Sequence, residues 1–412
     1  MNLNSLTSAE KTQLNIGFMR LSDSAPLIVA QELQFFERYG LEVTLRREVS
    51  WANVRDKVAV GTLDASQMLA PMPLVTSSGL KNTPSPFITG LMLSLNGNAI
   101  TLSSGLSKQL DLEVSKTGDH CPDPVVAARQ LGKIVTTLPR QLTLATVYPY
   151  SMHTFQLRHW LSLGGICPDR DVKIIVLPPE QMVDNLARGI IDGFCVGEPW
   201  NTAAIQAGIG SSIVSGYQLW NNAPEKALVV AEHWHKNNPA THLRLRLAIM
   251  EAAAWLSHEE NRLACVPILA RKKYLDLPEH MIKPALLGRF QYNKHSPSIN
   301  NQDFIVFNRY QAGFPWRSHA EYLLRKNLQL QGFNIDDSEI CKLIEKVFRA
   351  DLYREAASLL GYSYPSTDFK NEGGNATSYL FEDSIELGPD LILNGGTFSP
   401  CPCESYSGSA QK

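Results

Sequence analysis

The sequence lacks any apolar run long enough to cross a membrane. Of its 412 residues, 44% are hydrophobic and 19% are charged, and no segment approaches the ~18–20 apolar residues of a membrane span. The amino terminus, MNLNSLTSAEKTQLNIGF, also lacks the basic region, the apolar core and the small-residue cleavage site of a secretory signal. The sequence therefore predicts a protein of the cytoplasm with no membrane contact.

Basic residues are not in excess either. Lysine and arginine together number 38 against 40 aspartates and glutamates, which gives a net charge of −2. Proteins that bind nucleic acid neutralise phosphates with clustered Lys and Arg. The two short basic segments, near Arg244 and Arg271, are typical of solvated helix faces. Direct nucleic-acid binding is therefore not expected.

Disulfide, metal and catalytic patterns are sparse. The seven cysteines are scattered and odd in number, which predicts reduced thiols and not a disulfide framework. Cys401 and Cys403 form a C-x-C spacing without a neighbouring histidine, which is a weak metal signal. The sequence contains no G-x-S-x-G, no Walker loop and no paired-Cys metal spacing. We therefore predict no enzyme, no catalytic residue, no cofactor and no bound metal.

What the sequence does contain is a repeated α/β pattern. A strand at 15–21 leads to a helix that Asp23 or Ser24 can cap and that ends at Gly40, and a strand follows at 41–49. Similar strands and helices recur between residues 142 and 196. Such βαβ units predict parallel-rich sheets with right-handed crossovers. The predicted fold class is therefore α/β, with two lobes that are each a sheet flanked by helices, joined by hinge strands.

The chain would cross between the lobes twice, near residues 98–103 and again near 224–230. The expected domains are a discontinuous lobe I of residues 13–100 plus 230–360 and a lobe II of residues 101–229. Residues 240–360 have apolar spacing typical of helices. The tail at 361–412 is rich in Gly, Ser, Pro and Asn, so an extended, partly disordered arm is expected there.

Two short motifs indicate a binding site. FCVGEPWN at 194–201 ends a buried strand at Gly197, and ligands of α/β proteins bind outside the carboxyl ends of strands. APEKAL at 223–228 places Lys226 directly before an apolar run. A single lysine at a sheet edge in a cleft suits a small anion, whereas the alternative is an exposed lysine beside Glu225.

These motifs, together with YPYSMHTFQLRHWLSLGGI at 148–166, resemble the nitrate- and bicarbonate-binding proteins of bacterial ABC transporters over residues 13–360. The resemblance implies the two-lobed periplasmic-binding-protein type II fold with an anion cleft between the lobes. Nitrate-binding members have a lysine in the PEKAL context, and bicarbonate-binding relatives have an acidic residue that recruits a metal. Lys226 therefore implies nitrate or nitrite as the ligand and no metal.

The resemblance also implies further contacts to the anion. His153, in the first turn of a helix that begins near Ser151, would donate beside the helix N-terminus, although a histidine there can equally cap the helix or pack in the core. Trp51 would line the rim with its indole N–H, or else lie under its helix as a core residue. Asn98 stands where transporter members are expected to have a glutamine, so a water or a narrower pocket is implied.

The remaining implied residues support the cleft. Gly197 would present a backbone N–H to the anion. Glu198 would orient its neighbours, and Pro73, in the PMP motif, would shape the cleft wall by fixing the backbone.

A transporter's solute-binding protein needs export or a membrane anchor, and the amino terminus shows neither. The resemblance is therefore closest to the cytoplasmic nitrate/nitrite sensors of the NasS type. Such a sensor sequesters an antiterminator protein with an RNA-binding ANTAR domain when nitrate is absent, and so controls nitrate assimilation. The alternative is the solute-binding protein of a nitrate ABC transporter. Pyrimidine-forming enzymes of thiamine biosynthesis share the fold, but their dense His/Cys iron motif is missing here.

Overall fold

The computed structural model describes residues 6–79, 86–110, 121–332 and 334–401 of the chain. The strands, in chain order, are β1 (Gln13–Met19), β2 (Glu42–Glu48), β3 (Ala65–Leu69), β4 (Phe87–Asn96), β5 (Asn98–Ser103), β6 (Leu142–Thr146), β7 (Val172–Val176), β8 (Gly193–Gly197), β9 (Gly210–Ser215), β10 (Pro224–Ala231), β11 (Arg289–Phe290), β12 (Ile299–Asn300), β13 (Ile305–Val306), β14 (Gly374–Asn375), β15 (Tyr379–Phe381), β16 (Ile385–Leu387) and β17 (Asp390–Leu391).

The helices are α1 (Ala25–Glu32), α2 (Phe35–Arg38), α3 (Trp51–Ala59), α4 (Met72–Ser77), α5 (Ser104–Ser107), α6 (Pro124–Thr137), α7 (Met152–Leu163), α8 (Met182–Ala187), α9 (Trp200–Gln206), α10 (Gly216–Leu219), α11 (Glu232–Asn237), α12 (Pro239–Trp255), α13 (Glu259–Ala270), α14 (Glu279–Leu286), α15 (Arg317–Gln331), α16 (Asp337–Val347) and α17 (Ala350–Leu360). Short 3₁₀ turns lie at Ser22–Ser24, Pro179–Gln181 and Arg309–Gln311.

Each lobe is built on one of two larger sheets. The first has six strands in the order β13-β4-β10-β3-β1-β2, and the second has five in the order β7-β6-β8-β5-β9. In the first, β1 runs parallel to β2 and β3 while β10 is antiparallel to β3 and β4. In the second, β6 runs parallel to β7 and β8 while β5 is antiparallel to β8 and β9. The parallel pairs come from the predicted βαβ units.

The two crossings differ slightly from the predicted boundaries. The chain passes from β4 to β5 through Gly97, which has a φ of +93°, so Asn98 belongs to the second sheet. It returns before Pro224, because all of β10 pairs within the first sheet. The expected limit of lobe II at residue 229 therefore falls inside a strand of lobe I. Glycine is favoured at Gly97 because its φ is sterically unfavourable for residues with a Cβ.

Serine caps fix two helix starts that matter for the site. The Ser50 hydroxyl accepts from the Asn53 backbone N–H at the start of α3, and the Ser151 hydroxyl accepts from the Thr154 N–H at the start of α7. Both capping residues have extended backbones, as N-cap residues usually do. As a result Trp51 and His153 each lie in the first turn of a helix that follows a strand.

The carboxy-terminal arm differs from the extended arm that the sequence predicts. Residues 374–391 form two small antiparallel pairs, β14 with β17 and β15 with β16. Lys370, Glu372 and Asp390 are buried, and the ammonium of Lys370 forms ion pairs with both carboxylates. The charges neutralise one another, and Ile385, Leu387 and Ile392 are buried as well, so both ion pairs and apolar packing hold the segment in place. The disorder expected near the end of the chain lies outside the described residues.

The arm contacts both lobes. On the side of lobe I, Arg317 at the start of α15 pairs with Asp368 at 2.8 Å. On the side of lobe II, the Leu393 N–H donates to the Leu219 carbonyl at 2.9 Å, and the Trp220 indole N–H donates to Asp390 at 2.7 Å. We call this segment, residues 366–393, the strap.

Within the described residues, none of the helices combines the length and hydropathy that a transmembrane segment requires. Cys167, Cys195, Cys265 and Cys401 are free thiols among the described residues, but Cys341 is disulfide-bonded. The expectation that all cysteines are reduced is therefore wrong for Cys341, since the spacing of cysteines in a sequence does not show which of them meet.

Candidate functional site

Lys226 is a fully buried cation between the two lobes. Its side chain on β10 has 0% exposure, and its Nζ lies 2.6 Å from a Glu225 oxygen and 2.8 Å from Asp23 Oδ2. An irregularity in the pairing of β10 with β4 falls at Glu225, and such bulges place consecutive side chains on one side of a strand. The alternative of an exposed lysine beside Glu225 is therefore excluded.

Asp23 is held in place by the first lobe. It lies in the 3₁₀ turn after β1, and its Oδ1 accepts from Gln67 Nε2 at 2.6 Å. The amide oxygen of Gln67 accepts in turn from the Met19 N–H and the Ser24 hydroxyl. Neither Asp23 nor Ser24 caps α1 through its side chain. Their polar atoms are used instead to fix the carboxylate that faces Lys226.

Glu225 connects the Lys226 ion pairs to the second lobe. One of its oxygens accepts from Asn98 Nδ2 at 2.8 Å, and the other lies 3.4 Å from His153 Nδ1. Asn98 opens β5 and His153 lies on α7, so both come from lobe II. Lys226 and Trp51 come from lobe I. We call the set of Asp23, Glu225, Lys226, Asn98, His153 and Trp51 the interlobe cluster.

Several polar atoms of the interlobe cluster have no hydrogen-bond partner among the described residues. They are Trp51 Nε1, His153 Nδ1 and Nε2, and Asn98 Oδ1, and nearby Ser22 Oγ and Gln156 Oε1 are in the same state. The Lys226 ammonium lies 5.6 Å from the centre of the Trp51 ring. Buried polar atoms are nearly always paired, so unpaired donors and acceptors gathered around one lysine indicate a place for a polar ligand.

The surroundings of Trp51 agree in part with each of its two predicted roles, as a core residue and as a donor to the anion. The side chain is 1% exposed and belongs to the core of lobe I, as the structural interpretation predicts. Its indole N–H nevertheless lacks a partner, whereas buried tryptophan N–H groups usually have one. Helix capping was one alternative for His153. His153 does not cap α7, because Ser151 does so.

Gly197 and Glu198 lie at the junction of the lobes. A Cβ on Gly197 would lie 3.5 Å from Asp23 Oδ2, so this backbone passes directly beside the interlobe cluster. The Glu198 N–H donates to the Gly97 carbonyl at 3.0 Å, and its own carbonyl accepts from the Ser22 N–H at 2.7 Å. Pro73 lies much earlier in the chain, in the first turn of α4. That helix follows β3, and β3 pairs with β10, the strand of Lys226.

Close packing continues on the side of lobe II. A Cβ on Gly216, at the start of α10, would lie 1.9 Å from Asn98 Oδ1 and 3.0 Å from Gln156 Oε1. A larger residue at Gly216 would therefore displace the Asn98 amide. A separate open cavity of 580 Å³ lies along β9 and is lined by Ser107, Lys108 and Tyr292 among others. It includes no residue of the interlobe cluster.

Burial sets the protonation states in the interlobe cluster. It raises the pKa of both Asp23 and Glu225, against the opposing effect of Lys226. Burial also disfavours the charged form of Lys226, but the two carboxylates outweigh it and raise the Lys226 pKa. Burial and the neighbouring ammonium lower the pKa of His153 well below its usual value. Lys226 is therefore charged, and the imidazole is neutral with one N–H available to donate.

The burial of Glu198 predicts a pH-dependent stability. Burial raises its pKa from 4.5 to about 7, so between pH 4.5 and 7 the folded state binds more protons than the unfolded state. The free energy of unfolding should therefore fall as pH rises through this range, by up to about 3 kcal/mol from this group. Glu198→Gln should flatten that fall when urea denaturation is compared at pH 5 and pH 8. An unchanged pH profile would show that Glu198 is not the group responsible.

Sequence reasoning missed Asp23, Glu225 and Gln67 as members of the site. From the sequence, Asp23 could be interpreted only as a helix cap, and Glu225 only as the neighbour of an exposed lysine. The position of Asp23 after the carboxyl end of β1 carried a signal, because ligands bind at that edge of an α/β sheet. Glu225 takes part in the site because the pairing of β10 is irregular at this residue. No sequence pattern predicts such an irregularity. Among the described residues, no group of three or more His, Cys, Asp or Glu side chains is arranged so that it could hold a metal ion.

The fold places the chain among two-lobed periplasmic-binding-type proteins. The crystal structure of the periplasmic nitrate-binding protein NrtA from Synechocystis PCC 6803 matches with a TM-score of 0.81 and 28% identity, covering 93% of this chain and 97% of that one. The predicted fold class is thereby confirmed.

The family follows from the sequence comparisons. The model of the NMT1-like family matches residues 7–270, and the chain belongs to this family. It is 32% identical over 410 residues to the nitrate/nitrite binding protein NrtA of Synechococcus elongatus, covering 95% of this chain and 85% of that protein. It is also 37% identical over 369 residues to the nitrate import ATP-binding protein NrtC of Synechocystis, covering 88% of this chain.

The resemblance to nitrate- and bicarbonate-binding proteins, read from the motifs, is thereby confirmed. The chain spans about half the length of several curated relatives that it matches, since it covers 52% of NrtC and 50% of the bicarbonate transport ATP-binding protein CmpC of Synechococcus elongatus.

Proposed function

We propose that the chain is a cytoplasmic nitrate/nitrite sensor. It binds the anion between its lobes and, without it, sequesters an ANTAR-type antiterminator that controls nitrate assimilation. The observation that carries anion binding is the buried Lys226 ammonium, with the unpaired N–H groups of Trp51 and His153 close by. These groups offer a small oxyanion one compensating charge and directed donors, which a buried anion requires.

The switch would work through the relative position of the lobes. Every side chain of the interlobe cluster is buried, so an ion reaches Lys226 only when the lobes separate. Once bound between Trp51 on lobe I and His153 on lobe II, the ion favours the closed form by its differential affinity. The antiterminator would then bind a different form, and by linkage each ligand weakens the other equally. A coupling of about 1–3 kcal/mol corresponds to a roughly 5- to 150-fold change in affinity.

The function is tested by nitrate titration and by partner capture. Calorimetry with sodium nitrate should show binding to the purified full chain. Capture from an extract of the source cells, with and without nitrate, should recover an ANTAR-domain protein only when nitrate is absent. An identical set of captured proteins in both conditions would contradict the sensor function and leave anion binding intact.

A second candidate is the solute-binding protein of a nitrate ABC transporter. Two observations favour it, namely the names of the NrtA relatives and the disulfide bond of Cys341, because disulfides persist mainly in oxidising compartments. Cell fractionation separates the two candidates. The sensor should be found in the cytoplasm, whereas the solute-binding protein should be found outside it.

A further inference from the structure

The interlobe cluster contains more negative than positive charge. Lys226 supplies one positive charge, and Asp23 and Glu225 supply two negative charges when both are ionised. Cys195 on β8 and His153 on α7 are the other titratable groups close to Glu225, and both are buried and neutral, since burial raises the pKa of the thiol and lowers that of the imidazole. When both carboxylates are ionised, the two ion pairs thus have a net charge of −1 before any ligand arrives.

Binding of a monoanion would change the net charge of this buried site from −1 to −2. An uncompensated buried charge is strongly unfavourable, and such groups respond by changing their protonation state. A proton on one carboxylate removes the added charge. It also converts an oxygen that repels the anion into an O–H that can donate to it.

The geometry identifies the carboxylates that can accept this proton. Asp23 and Glu225 both contact the Lys226 ammonium, at 2.8 and 2.6 Å, so they share one cation and titrate as a pair. Each has one further contact that holds it in place, from Gln67 on Asp23 and from Asn98 on Glu225. Glu225 also faces the unpaired His153 ring from 3.4 Å, which places it closest to lobe II.

We propose that the site takes its monoanion together with one proton, which the Asp23–Glu225 pair accepts. This inference rests on the proposed anion binding and adds a pH dependence to it. Burial raises the pKa of both carboxyls, in the direction that makes proton uptake accessible. Above the pH at which the pair ionises in the unliganded protein, affinity should fall about tenfold per pH unit, because one proton is bound with each anion.

The test is calorimetry of the full chain with sodium nitrate from pH 6 to 9. Paired buffers of different ionisation enthalpy report the number of protons taken up. Wild type should approach one proton per nitrate above the ionisation range of the pair. Glu225→Gln, whose amide mimics the protonated acid, should take up close to none, and its affinity should no longer fall with pH.

Glu259→Gln is the matched control. This glutamate is 49% exposed and pairs with Arg289 on the surface, so its variant should keep the wild-type pH slope. Asp23→Asn is the second variant if Glu225→Gln does not fold, and the same loss of slope is expected.

Three outcomes would overturn the inference. Nitrate binding without proton uptake or pH dependence refutes it while leaving the proposed function intact. A slope that survives both carboxyl variants but disappears in His153→Gln assigns the proton to the imidazole instead. No nitrate binding at any pH refutes the proposed function itself.

Discussion

Lys226→Glu is expected to abolish nitrate binding. The substitution removes the cation of the interlobe cluster and adds a third carboxylate beside Asp23 and Glu225, which lie 2.8 and 2.6 Å from the present ammonium. Removal of one partner from a buried charge pair at a binding site costs about 2–5 kcal/mol or more. This corresponds to at least a ~30-fold loss of affinity, measurable by calorimetry at a single pH.

Lys173→Glu is a suitable control for charge alone. Lys173 lies exposed on the edge strand β7, so its variant changes the net charge equally without touching the interlobe cluster. Lys226→Gln, which avoids the extra negative charge, tests the same loss if the glutamate variant does not fold. Wild-type affinity in folded Lys226 variants would remove this residue from the site.

Lys370→Met is expected to have the largest effect on stability. The Lys370 ammonium is buried in the strap and pairs with Glu372 and Asp390, and methionine would leave both carboxylates without their cation. Removal of one partner from a buried ion pair destabilises by about 3–5 kcal/mol. Urea denaturation followed by circular dichroism should show the lower midpoint.

Lys236→Met provides the matched comparison. Lys236 is 67% exposed and pairs with Glu232 one helical turn away, and such surface pairs contribute at most about 1 kcal/mol. Equal effects of the two substitutions would mean that the strap is not held by its buried charges. A small effect at Lys236 with a large one at Lys370 would confirm that the strap is an integral part of the fold.

Much of the fold could be predicted because its signals are local. The strand at 42–48 follows from the alternation of apolar residues. The helix predicted to end at Gly40 is instead divided into α1 and α2 at Gln34, whose φ is +58°. The lobe boundaries were less accurate, because which sheet β10 joins depends on its pairing with β3 and β4 and not on its own composition. The strap escaped prediction because its buried ion pairs, which composition does not reveal, act together with the packing of Ile385, Leu387 and Ile392.

The site was predicted in part for a similar reason. Lys226, His153, Trp51 and Asn98 could be named from motifs and a family resemblance. In the structure Asn98, His153 and Lys226 lie beside Glu225, and the Trp51 ring lies beside Lys226. The predicted lobe was wrong for Asn98 and for Lys226, because both residues lie within a few positions of a crossing between the lobes. The carboxylates were missed because acidic residues are not expected beside an anion unless their charge is balanced.

The strap has a mechanical consequence for the proposed opening and closing of the two lobes. Two polypeptide crossings alone form a simple hinge, about which the halves can swing apart freely. The strap adds an attachment elsewhere, because its Asp368 pairs with Arg317 of one half and its Asp390 accepts from the Trp220 indole N–H of the other. Wide opening must break that attachment or move the strap with one lobe, so a segment outside the interlobe cluster would limit how far the lobes separate.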